Sequence, residues 1–106
     1  MHIKILGTDY NFKEDKSIID MNCDGLCKTY SKEILIRPIE DMLCSNDGIE
    51  DKKKRYREVA RHELIHAFFS ESGLDEYSNN EQLVNFLAIQ IPKMNDAFNI
   101  LKVGDR

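Results

Sequence analysis

In this chain of 106 residues, the segment whose residue types and spacing carry chemistry is His62-Glu63-Leu64-Ile65-His66. On an α-helix, at about 100° per residue, histidines four positions apart lie about 40° apart on one face, one turn from each other. Two imidazoles placed this way reach one Zn²⁺. Glu63 lies about 60° from His66 around the axis, so its carboxylate points at a water on such a metal without ligating the ion. The chemistry implied is hydrolysis by a metal-activated water, with Glu63 as general base. Three fixed residues arise by chance in on the order of a few per thousand chains of this length, so coincidence is a weak explanation. The bland alternative is a pair of histidines that face solvent or are satisfied by backbone. Leu64, Ile65, Ala67, Phe68 and Phe69 weigh against it. They predict a helix deep in the core, where unpartnered imidazoles and a carboxylate are costly.

Catalytic zinc takes three protein ligands and a water. His2, at the start of the chain, is a poor third ligand, so a carboxylate is required. The extended pattern with a third histidine six residues on needs glycine and histidine where Phe69 and Ser72 stand, which excludes it. Asp75, Glu76 and Glu81 remain. Glu81 is the best placed, in the first turn of a following helix that Gly73 and a short loop allow to fold back. Ser78-Asn79-Asn80-Glu81 also reads as a capping box with Ser78 as N-cap, a purely structural role for the same glutamate. Asn85, one turn beyond Glu81, is a candidate to bond the distal nitrogen of a liganding histidine. Tyr77 is a candidate oxyanion donor, although a tyrosine in such a loop is more often a packing residue.

The elements that must position these residues are legible from pattern. From Glu50 to about Ser72 no Gly or Pro interrupts, and apolar residues recur at Val59, Leu64, Ile65, Ala67, Phe68 and Phe69, which predicts a helix closed by Gly73. A loop over Leu74–Ser78 precedes a second helix opening near Asn79, with Leu83, Val84, Phe86, Leu87, Ala88 and Ile91 as its buried stripe. Pro92 either kinks it or starts another helix running to about Val103. The first half reads as strands. His2–Leu6 and Tyr10–Phe12 flank the turn-rich Gly7-Thr8-Asp9 as one hairpin. Leu26–Tyr30 and Glu33–Arg37, joined by Ser31-Lys32 and stopped by Pro38, form another. Lys13–Met21 is ambiguous, with a short connecting strand as one reading. Ile39–Leu43 suggests a short helical turn, and Ser45-Asn46-Asp47-Gly48 a loop. The expected fold is α+β: N-terminal antiparallel hairpins, then the ligand helix, then one or two C-terminal helices, in one domain spanning 1–106.

Composition narrows the function classes. Fifteen Lys+Arg against 19 Asp+Glu leave a formal charge of −4, which argues against a nucleic-acid binder working through overall positive charge. Lys52-Lys53-Lys54-Arg55, with Arg57 and Arg61, reads as the solvated face at the start of the ligand helix. No apolar run approaches a membrane span, and the N-terminus turns polar too early for a signal peptide, so a cytoplasmic protein is expected. Three cysteines do not make a disulfide framework; Cys23 and Cys27 have metal-like spacing, but with Cys44 isolated, thiols are the better reading.

His62-Glu63-Leu64-Ile65-His66-Ala67-Phe68, followed by Glu81-Gln82-Leu83-Val84-Asn85-Phe86-Leu87-Ala88, resembles the ImmA/IrrE group of small zincin metallopeptidases, especially the compact versions of phages and prophages. The resemblance covers about residues 58–91. It implies a gluzincin-like zinc site of His62, His66 and Glu81 with Glu63 as catalytic base, in a bacterial or phage-infected cell. It also implies a protein or peptide substrate laid as an extended strand along residues 32–37. The alternative function is a zinc-stabilised module, such as a phage or prophage regulator, that grips a protein without cutting it.

Overall fold

The computed structural model describes residues 1–44 and 48–106; Ser45, Asn46 and Asp47, the centre of the expected loop, lie outside the described residues. Strands β1 (His2–Ile5) and β2 (Thr8–Glu14) form the first hairpin. Its turn is Leu6-Gly7, both at positive φ, the two-residue geometry that matches strand twist. Thr8 and Asp9, expected in the turn, therefore join the ladder, where Asp9 faces Lys4 and pairs with it at 3.0 Å. A short helix, α1 (Ser17–Asp20), occupies the ambiguous stretch. Strands β3 (Gly25–Lys28) and β4 (Glu33–Ile36) form the second hairpin, and a 3₁₀ turn follows at Ile39–Asp41.

The sheet order is β1-β2-β4-β3, and β2 pairs with β4 in parallel. The sheet is therefore mixed, not a set of antiparallel hairpins. The chain passes from β2 through α1 to the far edge, lays down β3, and returns as β4 between them. Two consequences correct the sequence reading. β4, expected to offer an edge to a substrate, is bonded on both sides. The edge beside the ligand helix is β3 instead. The unbroken apolar run Ile34-Leu35-Ile36, all buried, is the mark of an interior strand.

Helix α2 (Ile49–Glu71) packs across the sheet, placing Val59 and Ala67 in a core with Ile5, Tyr10, Ile34, Ile36 and Met42. Gly73, at φ 75°, closes it as predicted. The expected loop is a turn of helix, α3 (Asp75–Ser78). Helix α4 (Glu81–Leu101) is continuous through Pro92 and packs on α2 through Ile65, Val84 and Ala88. Pro92 has no N–H for the Ala88 carbonyl one turn back. Arg61 of α2 supplies the missing donor, its Nε reaching that oxygen at 2.6 Å. No helix among the described residues is long and apolar enough to cross a membrane.

Candidate metal centre

His62 and His66 project from the middle of α2 toward the start of α4, as the one-turn spacing requires. Their Nε2 atoms lie 3.1 Å apart. Glu81 completes a triangle, with one carboxylate oxygen 3.1 Å from His62 Nε2 and the other 3.0 Å from His66 Nε2. α4 leaves Glu81 available for this because its N-cap is Asn80, whose side chain accepts from Leu83 N–H at 3.0 Å. Ser78 is not the cap, so the capping-box role for Glu81 falls away.

Ser78 holds His66 instead. Its Oγ lies 3.4 Å from the His66 carbonyl, an oxygen that only accepts, and 3.2 Å from His66 Nδ1. A hydroxyl that donates to the carbonyl must accept from Nδ1–H, which assigns the tautomer and leaves Nε2 with its lone pair facing Glu81 and His62. Burial pulls the His66 pKa below its ordinary value, against the opposing pull of Glu81 and with the help of His62. A neutral imidazole is the form a metal binds. The motif spacing carries no signal for Ser78; only the turn of α3 brings it beneath the ring.

Glu63 lies beside the two histidines, its carboxylate within 4.8 Å of their ring nitrogens, with its stem packed against Gly25 of β3. Its side chain is 6% exposed, and its Oε2 has no hydrogen-bond partner among the described residues. Burial first, and then the Glu81 charge, push its pKa up to about 7. Gly25 of β3 makes this seat possible: a Cβ there would sit 2.8 Å from both Glu63 Cγ and Val59 Cγ1. A glycine inside a strand is the sequence signal for such close approach. Next to it, Asp24 ties the sheet edge to α2 through Arg55 at 2.6 Å, and Arg37, buried, meets Asp24 at 3.5 Å and Cys23 O at 3.2 Å. The basic run of α2 is thus partly cross-link: besides Arg55 and Arg61, Lys52 reaches the Glu40 carbonyl at 3.1 Å.

Two cavities meet at this point. One, of about 220 Å³, is lined by Asp24, Gly25, Arg55, Glu58, Val59, His62, Glu63 and Asn85. The other, of about 480 Å³, runs along β3 past Cys27 and Thr29 to His66, Ser78, Asn79 and Glu81. Family models, curated proteins and solved structures give no match to this chain.

The structure therefore brings His62, Glu63, His66 and Glu81 together. Asn85 lines the smaller cavity beside His62 but bonds neither histidine among the described residues; the distal nitrogen of His66 belongs to Ser78. Tyr77 packs its ring on Phe69 at 5.9 Å and lines neither cavity. Asp75 lines a separate groove with Tyr30 and Lys32 and is not among the groups around the histidines, and Glu76 lines none of these cavities. Cys23, Cys27 and Cys44 form no disulfide, and burial, with Glu63 and Glu71 nearby, pushes the Cys27 thiol up to about 12.

The donor set fits zinc. Tetrahedral zinc with ligand bonds of about 2.0–2.2 Å spaces its donor atoms roughly 3.3–3.6 Å apart, a few tenths of an ångström wider than this triangle. Two imidazole nitrogens and one carboxylate are the donor types zinc takes at catalytic sites, with a fourth position left for water.

Proposed function

We propose that this protein is a zinc-dependent metallopeptidase of the small zincin type. The observation that carries the reading is the convergence of His62 Nε2, His66 Nε2 and the Glu81 carboxylate at 3.0–3.1 Å, with Glu63 buried and unpartnered beside them. The resemblance of residues 62–68 and 81–88 to ImmA/IrrE-type sequences, carried by the same four residues, agrees with it.

His62, His66 and Glu81 would hold the ion, and the chemistry zinc would supply there is a more acidic water and a polarised scissile carbonyl. Glu63 accepts the proton of the attacking water and passes it to the leaving amine. Its burial between α2 and β3 keeps bulk water from competing for that proton. Ser78 keeps the His66 ring turned toward the site. An extended peptide adds to the free edge of β3, Gly25–Lys28, through main-chain hydrogen bonds, and this places it along the larger cavity.

Two measurements test the reading. Purified protein is expected to contain one zinc per chain by elemental analysis and to cleave members of a peptide library. Glu63→Gln is expected to retain the zinc and lose cleavage. Equal cleavage by both proteins, or a zinc-free protein, would sink the proposal, and bound zinc without turnover of any peptide would leave the non-cleaving binding module.

A further inference from the structure

The outward face of α4, away from α2, carries Phe86, Ile89, Lys93, Asp96 and Ile100 at alternating spacings of three and four. That is the seam of a coiled coil, with Phe86, Lys93 and Ile100 at one core position and Ile89 and Asp96 at the other. Every member of the seam is exposed, with Phe86 at 56%, Ile89 at 45% and Ile100 at 80%. Val103, beyond the left-handed Lys102 that ends the helix, is exposed at 61% at the same end. Among the described residues neither Lys93 nor Asp96 makes an ion pair within the chain, although seven other Lys/Arg–carboxylate pairs form.

We propose that this face pairs with the same face of a second copy of the chain, antiparallel, about a two-fold axis passing between Met94 and Asn95. The charges select both the partner and the register. Antiparallel pairing about that axis sets Ile89 opposite Ile100 of the other copy, Lys93 opposite Asp96, and Phe86 opposite the segment at Val103. Each of these contacts occurs twice by symmetry. Parallel pairing sets Lys93 against Lys93 and Asp96 against Asp96. A shift of one heptad sets Lys93 against Ile89 and Asp96 against Phe86, leaving both charges without counterions. A central polar layer of this kind fixes orientation and register. At these exposures the apolar members present on the order of 400 Å² per copy. Two copies, with the stems of Lys93 and Asp96 added, thus bury an area in the range of weak, transient pairs, so the association is weak and reversible. The pairing does not depend on catalysis.

Sedimentation equilibrium of the intact chain, from ~1 to ~500 µM, tests it. The expected result is a reversible species of two 12.4 kDa chains. Lys93→Asp alone and Asp96→Lys alone each raise the dissociation constant at least about tenfold, and the double variant returns it to within about threefold of the natural value. Ile100→Asp stays monomeric throughout, with unchanged circular dichroism. A natural chain that is monomeric at every concentration overturns the proposal. So does a pair that ignores the single charge changes, or one that the double exchange fails to restore.

Discussion

Helices α2 and α4 pack side by side yet are built from opposite materials. Eleven of the 23 residues of α2 are Asp, Glu, Lys or Arg, against three of the 21 in α4. Composition alone would put α4 inside and α2 at the surface. In the fold, α2 is the central element. Its charges reach out as ties: Arg55 to Asp24, Arg61 to the Ala88 carbonyl, and Glu71 to Thr8, Tyr10 and Lys32 at 2.7–3.0 Å. α4 is buried along one stripe only, and every residue from Lys93 to its end is exposed. Charge on a helix therefore does not measure exposure; it records how many different neighbours the helix must hold. An apolar helix with one neighbour has a face left for a second.

The contrast breaks most sharply at Glu63, the buried α2 charge, which ties nothing. Glu63→Gln keeps shape and burial, and is expected to lower peptide cleavage by about 10³-fold while zinc content stays constant, measured by turnover and elemental analysis. The contribution of α4 to the same site is Glu81. Glu81→Ala is expected to weaken zinc at least ~100-fold in a chelator competition, and Ser78→Ala by about tenfold, because the latter frees the His66 ring without removing a ligand.

Stability sharpens the comparison at a smaller scale. Arg61→Met leaves the Ala88 carbonyl without a donor, since Pro92 cannot replace it, and is expected to cost about 1–3 kcal/mol in urea unfolding. Val84→Ala, on the buried stripe of α4, falls in the same range, about 2 kcal/mol. Ile100→Ala, assayed at dilutions where single chains prevail, is expected to stay within about 0.5 kcal/mol of the parent. Equal losses at Val84 and Ile100 would contradict the two-faced description of α4.

The narrowest effect concerns Glu71. Hydrogen bonds from Lys32, then Tyr10, with Thr8 adding a third, hold its carboxyl down to about 2. A carboxylate depressed in the folded state stabilises above its unfolded value, and that stabilisation disappears as pH falls from about 4.5 toward 2. Glu71→Gln should flatten the pH dependence of the melting temperature within that window and leave its slope near neutrality unchanged.

How much of this was legible beforehand varies by element. The ligand helix was, because His62, Glu63 and His66 interact within one turn, and Gly73 announced its end. The Glu81 side was legible as a choice among three carboxylates. Asn80 rather than Ser78 caps α4, and this settled which carboxylate reaches the histidines. The two hairpins are legible in the sequence; the parallel β2–β4 pairing that makes the sheet mixed rather than antiparallel is not. Nothing local in Asn11–Glu14 or Glu33–Ile36 states that they pair in parallel; that pairing arises only when the β2-to-β3 connection carries the chain to the far edge. The Arg61–Ala88 bond was hidden for the same reason, although Pro92 marked a carbonyl in need of a donor.

What the sequence by itself determined is whatever a single turn of helix or a single tight turn decides: two imidazoles on one face, a glutamate beside them, a glycine at the helix end, and the alternating stripe of α4. What only the tertiary structure decided is which distant groups meet these. β3 rather than β4 became the open edge, Ser78 fixed the His66 tautomer, and Gly25 opened the seat for Glu63. Spacing along the chain sets direction within an element. Contacts between elements depend on loop paths and packing that no short window of residues encodes.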